Sequence, residues 1–233
     1  MKKNIKITLL TFFILTLTLI SSLPNATVYA SNTSKVDTYN KKYSANKKNE
    51  VVCKGEFKGL KMNDNSKLAK AVNSYSTKQF ETYMTLWKPL KEFSLGDDME
   101  YTPYWLYETL KVKDGNSKYL SIEDSLSEYS GSAHPNYSNR YITFDKKTGR
   151  KISLKNIANC STKEFTLKVI KRLNKKLPKE YLSDFNESYK PYLLNYKFKD
   201  YQFYIKKDKL HIFFNPYEIG PYSMGVMDIV VKL

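Results

Sequence analysis

The apolar residues change from a helical to a strand period twice along this chain, and this order limits the folds open to it. A helical stripe, with apolar residues every three or four positions, covers residues 65–88 and returns after Ser161. Each stripe is followed by segments rich in β-branched and aromatic residues, at 101–144 and again at 201–231. The order helix, strands, helix, strands predicts an α+β fold with a mainly antiparallel sheet, two principal helices and two similar sub-modules.

Local signals predict where these elements end. Pro89 is expected to end the first helix, because proline lacks an N–H and clashes with the preceding turn. The Asp-Gly-Asn sequence at 114–116 predicts a hairpin turn. Ser161 and Glu164 have the spacing of a capping box, in which the two residues satisfy free amides at the start of the second helix.

Residues 1–30 have the features of a secretory signal peptide. Three lysines precede an apolar run from Ile7 to Ile20, and Val28-Tyr29-Ala30 provides the small residues of a cleavage site. The run is too short for a stable membrane span. We therefore expect a secreted, extracellular protein without a transmembrane segment after cleavage, free or associated with the wall. An uncleaved N-terminal anchor is the alternative.

Composition divides the rest of the chain. Residues 31–48 are rich in Asn, Ser, Lys and Thr, and such a segment buries too little apolar surface to offset the entropy of ordering it. We therefore expect a flexible polar leader at 31–48 and ordered structure from Val51 onward. An N-terminal module is expected at 49–138 and a C-terminal module at 139–233, in a monomeric protein.

The chain is strongly basic. Its formal net charge is +16, and about +13 remains without the lysines of the signal peptide. Outside the cell nucleic acid is not an expected partner, whereas anionic wall polymers or a phospholipid surface fit this charge. The alternative is that the lysines only keep a secreted protein soluble.

Few residues are available for catalysis or metal binding. Cys53 and Cys160 are the only cysteines, and in an oxidising compartment they either form one disulfide or stay unpaired. His134 and His211 are the only histidines and lie far apart, so neither a metal site nor a cofactor is expected. We expect a non-catalytic protein, although two carboxylates acting as a glycosidase remain an alternative.

Two short stretches combine turn-forming residues with aromatic ones. They are 130–136 (Ser-Gly-Ser-Ala-His-Pro-Asn) and 214–222 (Phe-Asn-Pro-Tyr-Glu-Ile-Gly-Pro-Tyr). Tyrosines on rigid turns present large contact areas to a partner, but such rings also close the end of a sheet as core, and a turn histidine also bonds the turn backbone. The candidate binding residues are Ser132, His134, Pro135, Tyr217, Glu218, Pro221 and Tyr222.

These stretches resemble a family of exported bacterial proteins that pair two domains of unknown function, of the 4163 and 3298 types. Residues 131–136 are similar to the family's Gly-Gly-Ala-His-Pro-Asn, 144–154 to its Phe-Asp-x-x-Thr-Gly segment, and 217–225 to its Tyr-Glu-Ile-Ala-Pro-Tyr-Ala-x-Gly. Ser132 departs from the second glycine. If that position needs a positive φ, the turn differs here or is strained.

The resemblance implies a stand-alone ectodomain of the Gram-positive envelope. In the family these domains occur in a lysozyme-sensing anti-sigma factor, where they bind lysozyme, and beside a deacetylase that acts on peptidoglycan. We expect a module that binds wall glycan, anionic polymer or a wall-directed protein; a lysozyme-binding sensor or inhibitor and a peptidoglycan-modifying enzyme are the alternatives. Because typical lysozymes are basic, binding one needs an acidic patch, for which Glu123, Asp124 and Glu128 are the candidates.

Overall fold

A computed structural model describes residues 35–96 and 103–232; the expected signal peptide lies outside the described residues. This part of the chain contains two β-sheets and two long helices. The strands are β1 Val36–Lys47, β2 Glu50–Met62, β3 Tyr104–Gly115, β4 Tyr119–Tyr129, β5 Asn136–Asp145, β6 Gln202–Lys206, β7 Lys209–Phe214 and β8 Met227–Val231. The long helices are α1 Lys67–Gly96 and α2 Thr162–Lys176. Short helical turns lie at Leu154–Asn156, Lys179–Tyr181, Leu182–Asp184, Phe185–Tyr189, Lys190–Leu194, Phe198–Asp200 and Tyr222–Met224.

The sheets are mainly antiparallel. The first has the strand order β1-β2-β3-β4-β5, and only the β2–β3 pair is parallel. Helix α1 makes the connection between these two strands, since parallel neighbours need a crossover. The second sheet has the order β6-β7-β8 and is antiparallel throughout. The predicted α+β fold is confirmed, and in both halves a long helix comes before three antiparallel strands.

Each sheet packs against its own helix and has its own hydrophobic core. Helix α1 buries Val72 and Trp87 on the first sheet, and α2 buries Val169 and Leu173 on the second. Full burial of an apolar side chain of this size stabilises the fold by about 1.5–3 kcal/mol. The predicted capping box at the start of α2 is present, with the Ser161 amide donating to Glu164 at 2.8 Å.

The prediction of a flexible leader at 31–48 is wrong for most of this segment. Residues 36–47 form β1, which pairs antiparallel with β2 along the edge of the first sheet. Tyr39 and Tyr43 pack against the core, and Ala45 is buried. Apolar contact on one face and a full ladder of backbone hydrogen bonds thus offset the ordering entropy of a mostly polar strand.

Helix α1 continues past the proline that was predicted to end it. Pro89 lies inside the helix, which reaches Gly96. Leu90 and Leu95 pack against the first core, and Ser94 is buried. These contacts hold the last turns in place despite the cost of an internal proline, which is about 3 kcal/mol.

The two cysteines are free, so the disulfide expectation is wrong and the unpaired alternative holds. Cys53 is buried on β2 in the first core, whereas Cys160 packs, partly buried, against the second core. Burial raises the pKa of the Cys53 thiol. Each cysteine therefore belongs to a different core, and neither links the two halves.

The second sheet docks on the edge of the first. Strand β5 is the last strand of the first sheet, and the side chains of two residues from the second half bond its outer edge. The Asn215 side chain accepts from the Asn139 amide at 2.7 Å and donates to its carbonyl at 3.0 Å, and Gln202 accepts from the Tyr141 amide at 3.1 Å. These side chains occupy backbone groups that an open edge strand leaves unpaired.

No helix in the described ranges is long and apolar enough to cross a membrane.

Candidate functional site

The two stretches singled out in the sequence meet in the structure. One forms the loop between β4 and β5, and the other follows β7. The ring of His134 stacks on the ring of Tyr222, with 4.2 Å between centroids and 22° between planes. The Tyr222 hydroxyl donates to the Pro135 carbonyl at 2.9 Å. The stack and the hydrogen bond join the loops into one surface.

Two further tyrosines surround Tyr222. Tyr217 lies 5.5 Å from it and Tyr137 lies 5.7 Å from it, measured between ring centroids. We call the set of His134, Tyr137, Tyr217 and Tyr222 the aromatic platform. Tyr137 was missed by sequence reasoning, although it directly follows the first stretch. Partial burial and the adjoining phenols raise the pKa of Tyr222, which keeps its hydroxyl protonated as a donor.

Tyr217 projects into solvent from a turn that does not favour it. The Glu218 amide donates to the Asn215 carbonyl at 3.2 Å, which closes a β-turn with Pro216 and Tyr217 at its centre. Tyr217 has a φ of 69°, and a proline followed by a positive φ is the pattern of a type II turn, which favours glycine or asparagine there. Its side chain is 59% exposed, so the core alternative is wrong for this ring.

The other candidate residues shape the loops. The Ser132 hydroxyl donates to the His134 carbonyl at 2.8 Å, and His134 Nδ1 lies 3.0 Å from the Pro135 carbonyl. The positive φ falls on Gly131 rather than on Ser132, so the serine causes no backbone strain. Pro221 starts the short helical turn that carries Tyr222.

Glu218 is held by the same residue that docks the loop on β5. Its carboxylate accepts from the Asn215 amide at 2.8 Å and from the Asn215 side chain at 3.4 Å. Although the residue is exposed overall, partial desolvation of the carboxyl raises its pKa, and these hydrogen bonds act in the opposite direction. Glu218 therefore orients Asn215, the residue that docks this loop on β5.

The acidic patch needed for lysozyme binding is not on the surface. Asp124 and Glu123 are buried, and Glu128 is half-buried. Glu123 pairs with Lys111 at 2.7 Å and with Lys113 at 2.6 Å. Burial would raise the pKa of Glu123, but these two bridges outweigh it and lower the pKa to about 2. The three acids thus do not form an exposed negative surface.

A buried carboxylate pair under α1 was also missed from the sequence. Glu108 is 1% exposed and Asp124 is 0% exposed. Asp124 Oδ2 accepts from Tyr75 at 2.9 Å, and from Gln79 and Arg140 at 2.8 Å each. Three donors, from α1 and β5, therefore converge on one carboxylate oxygen.

The surroundings of Glu108, the partner of Asp124, favour its protonated form. Burial, and then the adjacent Asp124 charge, raise the pKa of Glu108 to about 8. Among the described residues neither Glu108 Oε2 nor Asp124 Oδ1 has a hydrogen-bond partner, which fits one proton shared between the carboxyl groups. The sequence does carry a signal for the burial of Glu108. This residue alternates with the buried Leu106 and Leu110 along β3, so the three side chains lie on the same face of the strand.

The second histidine lies away from the platform. His211 is on β7, where its Nδ1 atom lies 2.9 Å from Asp228 Oδ1 and its ring stacks on Tyr204. The prediction of a partly buried histidine on a strand face is confirmed by its position. Among the residues that the structure describes, no three His, Cys, Asp or Glu side chains lie close enough to hold a metal ion.

Comparison with known families divides the chain between two domains. Residues 150–233 match the model described as "Protein of unknown function (DUF3298)", and residues 44–137 match the model described as "Deacetylase PdaC". The chain carries both domains. The 3298 part of the predicted resemblance is confirmed, whereas the 4163 type and the likeness to an anti-sigma factor stay predictions. His134 lies in the PdaC domain and Tyr222 in the DUF3298 domain, so the aromatic platform spans both.

Crystal structures of DUF3298 family proteins are among those that share this fold. One is a DUF3298 family member from Bacteroides fragilis, with a TM-score of 0.67 and 19% identity over 85% of this chain and 90% of that one. Another is a DUF3298 family protein from Pseudomonas aeruginosa, with a TM-score of 0.62 and 16% identity over 87% of this chain and 92% of that one. At such identities the likeness shows the fold alone. No curated protein matches the chain.

Proposed function

We propose that this chain is a non-catalytic binding module that acts at the cell envelope, outside the membrane, and recognises wall glycan through the aromatic platform. The PdaC match and the family resemblance associate the chain with the envelope. The predicted signal peptide agrees with a place outside the membrane.

The observation that carries the proposal is the exposed Tyr217 ring on a turn that favours glycine. A bulky residue with positive φ costs about 1–3 kcal/mol, and such strain gathers at functional sites. Here the ring adds little burial in return, since it is 59% exposed and lies tilted against Tyr222. An exposed ring on a strained backbone, beside the His134–Tyr222 stack, fits a role in binding.

The chemistry of the platform fits a sugar. Aromatic faces pack against the apolar faces of pyranose rings, and tyrosine hydroxyls bond the hydroxyls at their edges. Tyrosine also loses little conformational entropy on binding, because it has few rotatable bonds. Glu218, the acid next to Tyr217 in the chain, is engaged by Asn215, and the platform rings themselves offer apolar and polar contacts.

Binding of soluble peptidoglycan fragments, freed of secondary polymers and followed by calorimetry, tests the proposal. Tyr217→Ala should weaken binding by tenfold or more, which corresponds to about 1.4 kcal/mol. The matched control is Tyr192→Ala, because Tyr192 is also a solvent-exposed tyrosine, 73% exposed, on the helical turn Lys190–Leu194. Equal affinities for wild type and Tyr217→Ala would contradict the proposal, and so would absence of binding by the wild type.

A further inference from the structure

A row of cations follows one face of helix α2. Lys168, Lys171, Arg172 and Lys175 have the spacing i, i+3, i+4, i+7, which places them on a single stripe. All four are exposed, while Val169 and Leu173 face the core. The row extends over about 10 Å, since each residue advances a helix by about 1.5 Å.

The row forms one wall of a groove against the end of β8. A hollow of about 470 Å³ lies between these four side chains and the pair Val231 and Lys232. A second hollow of about 400 Å³ shares Arg172 and Lys175 with the first and extends along the strand. The additional residues of the second hollow are Lys176, His211, Asp228, Ile229 and Val230. The two hollows together form an elongated groove.

Most of the positive charge in this groove is unneutralised. Within the described ranges, Lys171, Arg172, Lys175 and Lys232 form no salt bridge. Among the described residues that line the groove, the one acid is Asp228, which is already bonded to His211 and to the Tyr204 hydroxyl. Like charges one turn apart on a helix destabilise it, and the helix dipole favours cations only in the last turn. An anionic ligand along the groove would relieve this repulsion.

We propose that the groove between α2 and β8 binds a linear phosphodiester polymer, such as a polyol phosphate. The site is separate from the aromatic platform, so this inference is independent of the proposed function. Lysines attract phosphate as point charges, and Arg172 can bond it through two N–H groups. Cations that repeat with each helical turn suit a polymer with one charge in each short repeat.

The geometry disfavours an acidic peptide. A peptide would add to the free edge of β8 by strand pairing, but Lys176 already donates its Nζ to the Asp228 carbonyl on that strand. Part of the ladder that a peptide strand needs is thereby occupied. A flexible polymer without backbone donors requires only the row of charges.

The test measures binding of poly(glycerol phosphate) of defined length by fluorescence anisotropy between about 50 and 500 mM salt, where the Debye length shortens. The groove variant is Lys171→Gln, Arg172→Gln, Lys175→Gln. The matched control removes the same charge from exposed positions on β2 and α1, as Lys61→Gln, Lys70→Gln, Lys88→Gln. Thermal unfolding verifies that both variants fold.

We expect the groove variant to bind at least tenfold more weakly than wild type, and the control to change less than threefold. The slope of log affinity against log salt should fall by roughly two to three in the groove variant, since each lost phosphate contact contributes slightly under one. Equal weakening of both variants would show that net charge alone is responsible and overturn the proposal, as would a failure of wild type to bind. Competition by poly-glutamate as strong as by the phosphate polymer, charge for charge, would assign the groove to acidic peptides instead.

Discussion

His134 and Tyr222 stack ring on ring, although one belongs to the PdaC domain and the other to the DUF3298 domain. The same tyrosine bonds the carbonyl of Pro135 through its hydroxyl. One side chain therefore links the domains in two ways, by ring contact and by hydrogen bond. Single substitutions separate the two contributions.

Tyr222→Phe removes the hydrogen bond and keeps the stack. We expect the free energy of unfolding in urea to fall by about 0.5–1.5 kcal/mol, which is the net value of such a bond. Tyr222→Ala should lower it further, by about 0.5–1.5 kcal/mol for the lost aromatic pair alone. Tyr192→Phe is the control and should be neutral, because Tyr192 is exposed. A Tyr222→Phe variant as stable as wild type would show that the bond contributes nothing.

Tyr217→Gly and Tyr217→Ala lose the same ring but differ in backbone strain. Alanine with a φ near 69° keeps the strain of the left-handed region, whereas glycine has none. We expect the glycine variant to be more stable in urea by about 0.5–1 kcal/mol, opposite to the usual order at other positions. Both variants should bind peptidoglycan fragments equally weakly. If alanine proves the more stable of the two, the turn has relaxed and the strain argument fails.

Much of the fold follows from local signals in the sequence. The apolar stripe and capping box at Ser161 predict α2, and the alternating residues around 114–116 predict the β3–β4 hairpin. The similarity of 130–136 and 214–222 in composition also marks both loops of the platform. These predictions hold because they depend on neighbours within a few residues.

The missed features depend on residues distant in sequence. β1 is ordered by Tyr39 and Tyr43 packing on a core that forms elsewhere in the chain, and α1 passes Pro89 because Leu95 finds partners in the same core. The partner of Glu108 lies on the next strand, and the donors around it come from two other elements, α1 and β5. Composition and period can indicate which face of an element is buried, but they do not identify the distant partners in such contacts.

Glu108 makes stability depend on pH in the direction opposite to most acids. Its pKa is about 8 in the folded protein, against 4.5 for the free side chain. The folded state therefore holds more protons between these values, and stability should fall as pH rises from about 4.5 to about 8, by at most about 1.4 kcal/mol for each unit of pKa shift. In Glu108→Gln the amide N–H replaces the proton shared with Asp124, and this fall should disappear. Urea unfolding of wild type and Glu108→Gln at pH 5, 6.5 and 8 measures this dependence of stability on pH.

The control for this experiment is Glu81→Gln, because Glu81 is exposed on α1. It should keep the wild-type pH profile. Glu123 does not interfere in this range: its pKa is about 2 when folded, so its contribution is present above pH 4.5 and is lost only as pH falls further. A Glu108→Gln profile parallel to that of wild type would show that Glu108 is already ionised at neutral pH.

Thiol labelling distinguishes two free cysteines from a disulfide. In native protein without reductant, a disulfide-exchange reagent should label Cys160 within minutes, because this residue is partly exposed. Cys53 should react only as the protein unfolds, since its side chain is fully buried and thiolate formation there is disfavoured. In urea both thiols should react, and Cys160→Ser should abolish only the fast phase.

Reductant should leave the unfolding free energy unchanged, whereas loss of a bridge between these positions would cost about 4–5 kcal/mol. No labelling in urea before reduction would instead reveal a disulfide and require the two cores to rearrange.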